Sequence, residues 1–187
     1  MTEKEFKFQY ALGSISYNNL IKIATKTTSK YILTTLSNNE DESIRRCVAK
    51  NKSTPIEVLT KLSKDNEWGV WGRVARNPNT PVKVLISFSK NKDWYARYSV
   101  ADNLNIPIEA ATLLSKNKDY IVRCRIADNP NTPIRILTKL STDKISDVRM
   151  CVAENPRTPK KVLTKLSKDK EFEVRYWAAE NLKRNNK

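Results

Sequence analysis

The chain has no histidine among its 187 residues. That removes the commonest general base, every His-containing catalytic triad and most zinc ligand sets. Glycine is nearly as scarce, with Gly13, Gly69 and Gly72 the full set, so no glycine loop is available to cradle a phosphate. No apolar run approaches the roughly 20 residues of a membrane helix. The start, Met1 to Tyr10, is charged and lacks a signal-peptide core, so no membrane insertion is expected. Alternating strand patterns are missing as well, which excludes the sheet-forming repeat classes. There are three cysteines. Cys47 and Cys151 share a column four units apart. Cys124 and Cys151 sit in adjacent units, where a layer of about 10 Å exceeds the roughly 7 Å reach of a disulfide. All three read as reduced thiols, and the expected location is the cytoplasm.

What the chain does have is a period. Prolines at Pro55, Pro81, Pro107, Pro133 and Pro159 follow one another at 26 residues. Alanine keeps the same step at Ala49, Ala75, Ala101, Ala127, Ala153 and Ala179, and asparagine at Asn51, Asn77, Asn103, Asn129, Asn155 and Asn181. A fixed period of about 20 to 50 residues marks a stacked repeat architecture, in which neighbouring units bury a continuous core without disulfides or metals.

Each unit reads as two short helices. The first carries apolar residues four apart, as in Ile44 and Val48, and is expected to stop at an asparagine in the left-handed conformation. Thr54, Thr80, Thr132 and Thr158 are placed as N-caps of the second helix, with the following proline at N1. The buried stripe of that helix reads as Ile56, Leu59 and Leu62, repeated as Val82, Leu85 and Phe88, and as Ile134, Leu137 and Leu140. Residues 1–42 form an N-terminal helical cap and half repeat. Residues 43–187 form the array, with units starting near 43, 69, 95, 121 and 147 and a half unit from 173. The tail from Lys183 to Lys187 is expected to fray.

The unit Val148-Arg149-Met150-Cys151-Val152-Ala153-Glu154-Asn155-Pro156-Arg157-Thr158-Pro159, continuing to Leu163 and Leu166, resembles the leucine-rich repeat variant family. The resemblance spans about residues 43 to 182. It implies an all-α fold, a right-handed α-solenoid of about five two-helix repeats with terminal caps, HEAT-like in appearance and without the sheet of ordinary leucine-rich repeats. The units are 26 residues rather than the roughly 24 usual in the family. Some members hold an iron–sulfur cluster on N-terminal cysteines. This chain has none before Cys47, so that group is not carried over and no cofactor is implied. The family is a scaffold class without one assigned activity.

Charge is the remaining functional signal. Residues 1–42 hold five basic and five acidic side chains, so the net +15 lies wholly on the array. Such a basic surface attracts an acidic protein or peptide, or nucleic acid; it also serves plain solubility. Off the leucine stripe, Lys61, Lys64, Lys83, Lys90, Lys116, Lys139, Lys161, Lys165 and Lys168 would form a positive lane along the second helices and their turns. On the first helices, Arg46, Arg73, Arg76 and Arg125 accompany Tyr98 and Tyr176, a mixture that suits flexible nucleic acid or an acidic protein.

Other columns read as structural. The arginines Arg45, Arg97, Arg123, Arg149 and Arg175 are expected to pair with a neighbouring unit's acidic residues, such as the Asp102, Asp128, Glu154 and Glu180 column, rather than to contact phosphates. Trp68, Trp94, Tyr120 and Phe172 are expected to pack between units. Asp93 with the surrounding tryptophans is a remote alternative, a helical-repeat DNA glycosylase. The leading expectation is a non-enzymatic scaffold whose basic face binds an acidic protein or peptide, with nucleic-acid binding through phosphate contacts as the alternative. No small-molecule substrate is expected, and oligomeric state is left open.

Overall fold

The computed structural model describes residues 1–184, and over that range the chain is fourteen α-helices with no strand. After α1 (Glu3–Ala11) the helices alternate between two kinds. The first helices are α2 (Tyr17–Lys26), α4 (Glu42–Lys50), α6 (Trp68–Arg76), α8 (Trp94–Ala101), α10 (Tyr120–Asp128), α12 (Ser146–Glu154) and α14 (Phe172–Arg184). The second helices are α3 (Lys30–Leu36), α5 (Ile56–Leu62), α7 (Val82–Ser89), α9 (Ile108–Leu114), α11 (Ile134–Leu140) and α13 (Lys160–Leu166). The expected tail is helical through Arg184, and 185–187 lie outside the described residues. Among the described residues no helix is long and apolar enough to cross a membrane.

The chain divides into two compact units, Met1–Val84 and Leu85–Lys187. In the first, α4 packs directly on α2 and α6. In the second, α8, α10, α12 and α14 pack in succession. Second helices pack chiefly on first helices: α5 on α4 and α6, α11 on α10 and α12, α13 on α12 and α14. Helices of seven residues do not persist alone in water, so these exist because burial holds them.

The buried stripe differs from the spacing read in the sequence. Ile56, Val82, Ile108 and Ile134 are more than half exposed or close to it, at 59%, 55%, 57% and 50%. The core positions are instead Val58, Leu59 and Leu62, repeated as Ile136, Leu137 and Leu140, and as Val162, Leu163 and Leu166. A Cβ tilts toward the helix N-terminus, so the first residue of so short a helix projects past the packed layer. On the first helices, Ile44, Val48 and Ala49 and their equivalents are buried, except Ala179 on α14, which is half-buried.

The turn residues also act differently from the sequence reading. Asn51, Asn77, Asn129 and Asn155 end their helices extended rather than left-handed, as in Asn129 with φ −63° and ψ 121°, whereas Asn181 lies within α14, which does not stop there. Among the described residues only Gly13, between α1 and α2, has a positive φ. Asn51, Asn77, Asn129, Asn155 and Asn181 are held from outside their own helices. Asn155 Nδ2 donates to the carbonyls of Ala127 and Asn129 at 2.7 and 2.9 Å, and Asn181 Nδ2 to those of Ala153 and Asn155 at 2.8 Å each. The Oδ1 of Asn155 accepts from the backbone N–H of Arg157. The threonines are not N-caps. Thr54 Oγ1 donates to the Val48 carbonyl at 2.6 Å, tying the turn back to the helix before it. Pro55, Pro107, Pro133 and Pro159 are the N-caps, non-helical in ψ. Pro55 and Pro159 accept the first intrahelical bonds, from Leu59 and Leu163. The hydroxyl thus gives the Val48 carbonyl, which also accepts from the Asn51 N–H at 3.0 Å, a second donor at the C-terminal end of the preceding helix.

Candidate binding face

Each face begins with the rung that sets its spacing. Arg45, Arg123 and Arg149 fork onto Asp65, Asp143 and Asp169, carboxylates of the turn that follows the next second helix. Their Nε to Oδ2 distances are 2.8, 2.7 and 2.7 Å, and their Nη2 to Oδ1 distances 3.0, 2.9 and 2.8 Å. Nη1 of the same arginines closes on turn carbonyls, as in Arg123 to Asn117 and Lys118. The column is structural, but the expected pairing with a neighbouring unit is corrected: Arg45, Arg123 and Arg149 take the turn aspartate of their own unit rather than the Asp102 to Glu180 column, and Arg97 and Arg175 bond to turn carbonyls. Burial works to raise Asp65 and Asp143, but the guanidinium and backbone N–H bonds outweigh it and hold both below the ordinary carboxylate range. At Asp169 the Arg149 bonds dominate outright, in the same direction.

These rungs consume the turn aspartates and leave the adjacent lysines free. Lys161, Lys165 and Lys168 are exposed and border one open cleft of about 530 Å³, shared with Ser141, Thr164, Leu166 and Asp169. Asp169 is taken by Arg149, so these three ammonium groups have no carboxylate partner in the cleft. In the first unit, Lys61 and Lys64 border a cleft that also holds Glu40 and Glu57. Lys61 Nζ is bound to Asn38 Oδ1 at 2.5 Å and to the Ser37 carbonyl at 3.2 Å, which makes it a strut between turns. Lys90 lies 3.6 Å from Glu109, an exposed pair. Lys83, Lys116 and Lys139 are exposed on α7, on the turn after α9 and on α11. The positive lane is therefore locally dense on α13 and thinner elsewhere.

The first-helix residues are more compensated. Arg125 stacks over the Tyr98 ring at 5.0 Å and lies 3.9 Å from Asp102 and 3.6 Å from Asp128. Arg46 is exposed, reaches Ser43 Oγ at 3.5 Å and runs beside Gly69. Arg73 is exposed, and Arg76 is half-buried with Nη1 on the Gly72 carbonyl. Tyr176 is exposed and stacks on Phe172 at 6.3 Å.

Two columns behave against expectation. Trp68, Trp94, Tyr120 and Phe172 are not buried between units: they are 62%, 52%, 41% and 65% exposed. As the first residue of each first helix, they point past its N-terminal end, as the Ile56 column does on the second helices. The cysteines are free thiols, yet layer spacing does not separate Cys124 from Cys151, which line a common cavity. Both features were readable as columns; what the sequence does not carry is which columns of adjacent units face each other.

Compared with known proteins, the chain aligns with the solved structure of a leucine-rich repeat variant with a novel repetitive structural motif, at a TM-score of 0.54 and 22% identity, over 95% of this chain and 81% of that one. The chain has the fold of a leucine-rich repeat variant. Two engineered proteins also align, at TM-scores of 0.38 and 0.42 and identities of 14% and 20%. Those alignments cover 98% and 88% of this chain, and 98% and 63% of theirs. No family model and no curated protein matches. The likeness shows the fold, a scaffold of stacked helical repeats.

Proposed function

We propose that the protein is a non-enzymatic binding scaffold that takes an acidic protein or peptide on the basic face of its second helices, centred on Lys161, Lys165 and Lys168. One observation carries this reading: three exposed lysines converge on an open cleft whose only carboxylate is already consumed by Arg149. Stacked repeats present extended surfaces of this kind, and ligands are held by side chains the repeat does not need. The cleft lining contains no aromatic ring, so it offers no platform on which single-stranded bases stack. Lysine point charges suit separate carboxylates along a peptide.

The test is titration of a fluorescent poly-glutamate peptide into the full chain at low salt. Saturable binding that weakens with added salt is expected, and the K161E/K165E/K168E variant loses at least about tenfold in affinity, roughly 1.4 kcal/mol. Absence of binding by the unaltered protein overturns the proposal. So does a single-stranded oligonucleotide of equal charge that binds more tightly, which would make nucleic acid the ligand.

A further inference from the structure

We propose that Cys124 and Cys151 form a dithiol site that hydroperoxides oxidise to an intramolecular disulfide joining α10 to α12. Register is the first support. Tyr98 on α8 and Arg125 on α10 meet at 5.0 Å. Cys124 on α10 and Cys151 on α12 occupy the same two positions one repeat later, on helices that pack directly. The offset that brings the ring to the guanidinium brings one thiol to the other. Access is the second support. Both thiols are half-buried and line one cavity of about 290 Å³ that opens to solvent beside Arg125 and Asp128, ample for a small peroxide.

The two sulfurs are not equivalent. A hydrogen bond from the Cys151 thiol is the largest influence on Cys124 and holds it below the ordinary thiol range, against the effect of burial. The same contact, followed by burial, pushes Cys151 far up. The pair therefore gives up one proton readily and keeps the second. Cys124 supplies the thiolate, which is the reactive form of a cysteine. It attacks the terminal oxygen of the hydroperoxide and the O–O bond breaks. The departing alkoxide is protonated to an alcohol, leaving Cys124 as a sulfenic acid. The Cys151 sulfur then attacks the Cys124 sulfur, the S–O bond breaks, and hydroxide leaves with the Cys151 proton as water. Two thiols are oxidised by two electrons, and one hydroperoxide is reduced to alcohol and water.

Cys47 is the internal control, since it lies on α4 and neither α2 nor α6 contains a cysteine. The experiment is a free-thiol titration and peptide mass map of the full chain after brief exposure to tert-butyl hydroperoxide. Free thiols are expected to fall from the three of the reduced protein to one. A Cys124–Cys151 cross-linked peptide should appear two hydrogens lighter, and dithiothreitol should restore both thiols. In Cys151→Ser, Cys124 should instead be trapped by dimedone as its sulfenic acid, and in Cys124→Ser the Cys151 thiol should stay free. Three thiols surviving peroxide that oxidises free cysteine would overturn the site, as would a link between chains or Cys47 reacting as fast as Cys124. Should either variant fail to fold, the mass map of the unaltered chain decides alone.

Discussion

At the scale of single residues, the Arg–Asp rung shows both what the array requires and where it is broken. Arg97 keeps the Nη1 bonds to the Asn91 and Lys92 carbonyls at 2.7 and 2.8 Å, but its Nε is buried without a partner. The residue at the aspartate position is Asn117, whose Oδ1 is occupied by the Asp119 N–H at 3.0 Å. In the register of the intact rungs, where Oδ2 accepts from Nε, an asparagine amide nitrogen would set donor against donor. Asn117→Asp supplies the missing carboxylate and should stabilise the fold by about 1–2 kcal/mol, raising Tm by about 2–6 °C; an unchanged or lower Tm would show that the rung is not limiting.

The intact rungs predict the response to acid. Asp65, Asp143 and Asp169 have folded-state pKa values below their unfolded ones. Their stabilisation is therefore complete above the unfolded carboxylate value, near 4, and is lost as pH falls through the lower folded values. Asp143→Asn should lower stability at neutral pH and flatten the acid limb of a Tm-against-pH curve; an acid limb as steep as that of the unaltered protein would remove this rung from the account. The arginine column was legible as structural because it follows the period. Its partner was not, because the pairing depends on how the turn after the second helix folds back onto the first helix of the same unit. A trace does exist in the sequence: the two turns with asparagine in place of aspartate, Asn91 and Asn117, are those whose register partners are Trp71 and the unpaired Arg97.

At the scale of elements, short helices are held by bonds that enter from neighbouring turns. Asn155→Ala removes both Nδ2 hydrogen bonds in the buried seam between α10 and α12, stranding the Ala127 carbonyl and leaving the Asn129 carbonyl only the Thr132 N–H. It should cost about 2–4 kcal/mol, and Thr158→Val, which strands the Val152 carbonyl, about 1–3 kcal/mol. Ile134→Thr, at an exposed position, should change stability by no more than about 0.5 kcal/mol. Urea denaturation of the three variants checks the order, and a loss at Ile134 as large as at Asn155 would contradict it. The ends of these helices could be read from Asn and Pro alone. The reason they end there could not, since Asn155 is fixed by carbonyls a full repeat earlier. The stripe error has a similar origin: Ile56 satisfies a helical spacing with Leu59, but only packing shows that a seven-residue helix buries its third, fourth and seventh positions.

At the scale of the whole molecule, the repeat and its all-α class were open to sequence reading, because every column recurs in phase. The proposed binding face was not, because net charge says nothing about which lysines are already engaged. Lys61 is tied to Asn38 and Lys90 faces Glu109, whereas Lys161, Lys165 and Lys168 border a cleft without a free carboxylate. This difference separates local recognition from attraction by the overall +15. Three Lys→Glu changes on α13 and its turn should abolish poly-glutamate binding while leaving Tm within a few degrees, because exposed charges contribute little to stability. Reversing Lys64, Lys83 and Lys139 instead alters net charge equally and should weaken binding no more than about threefold, through long-range attraction that salt screens. Equal losses in the two triple variants at physiological salt would mean that the array attracts acidic ligands only as a diffuse cation, with no localised site.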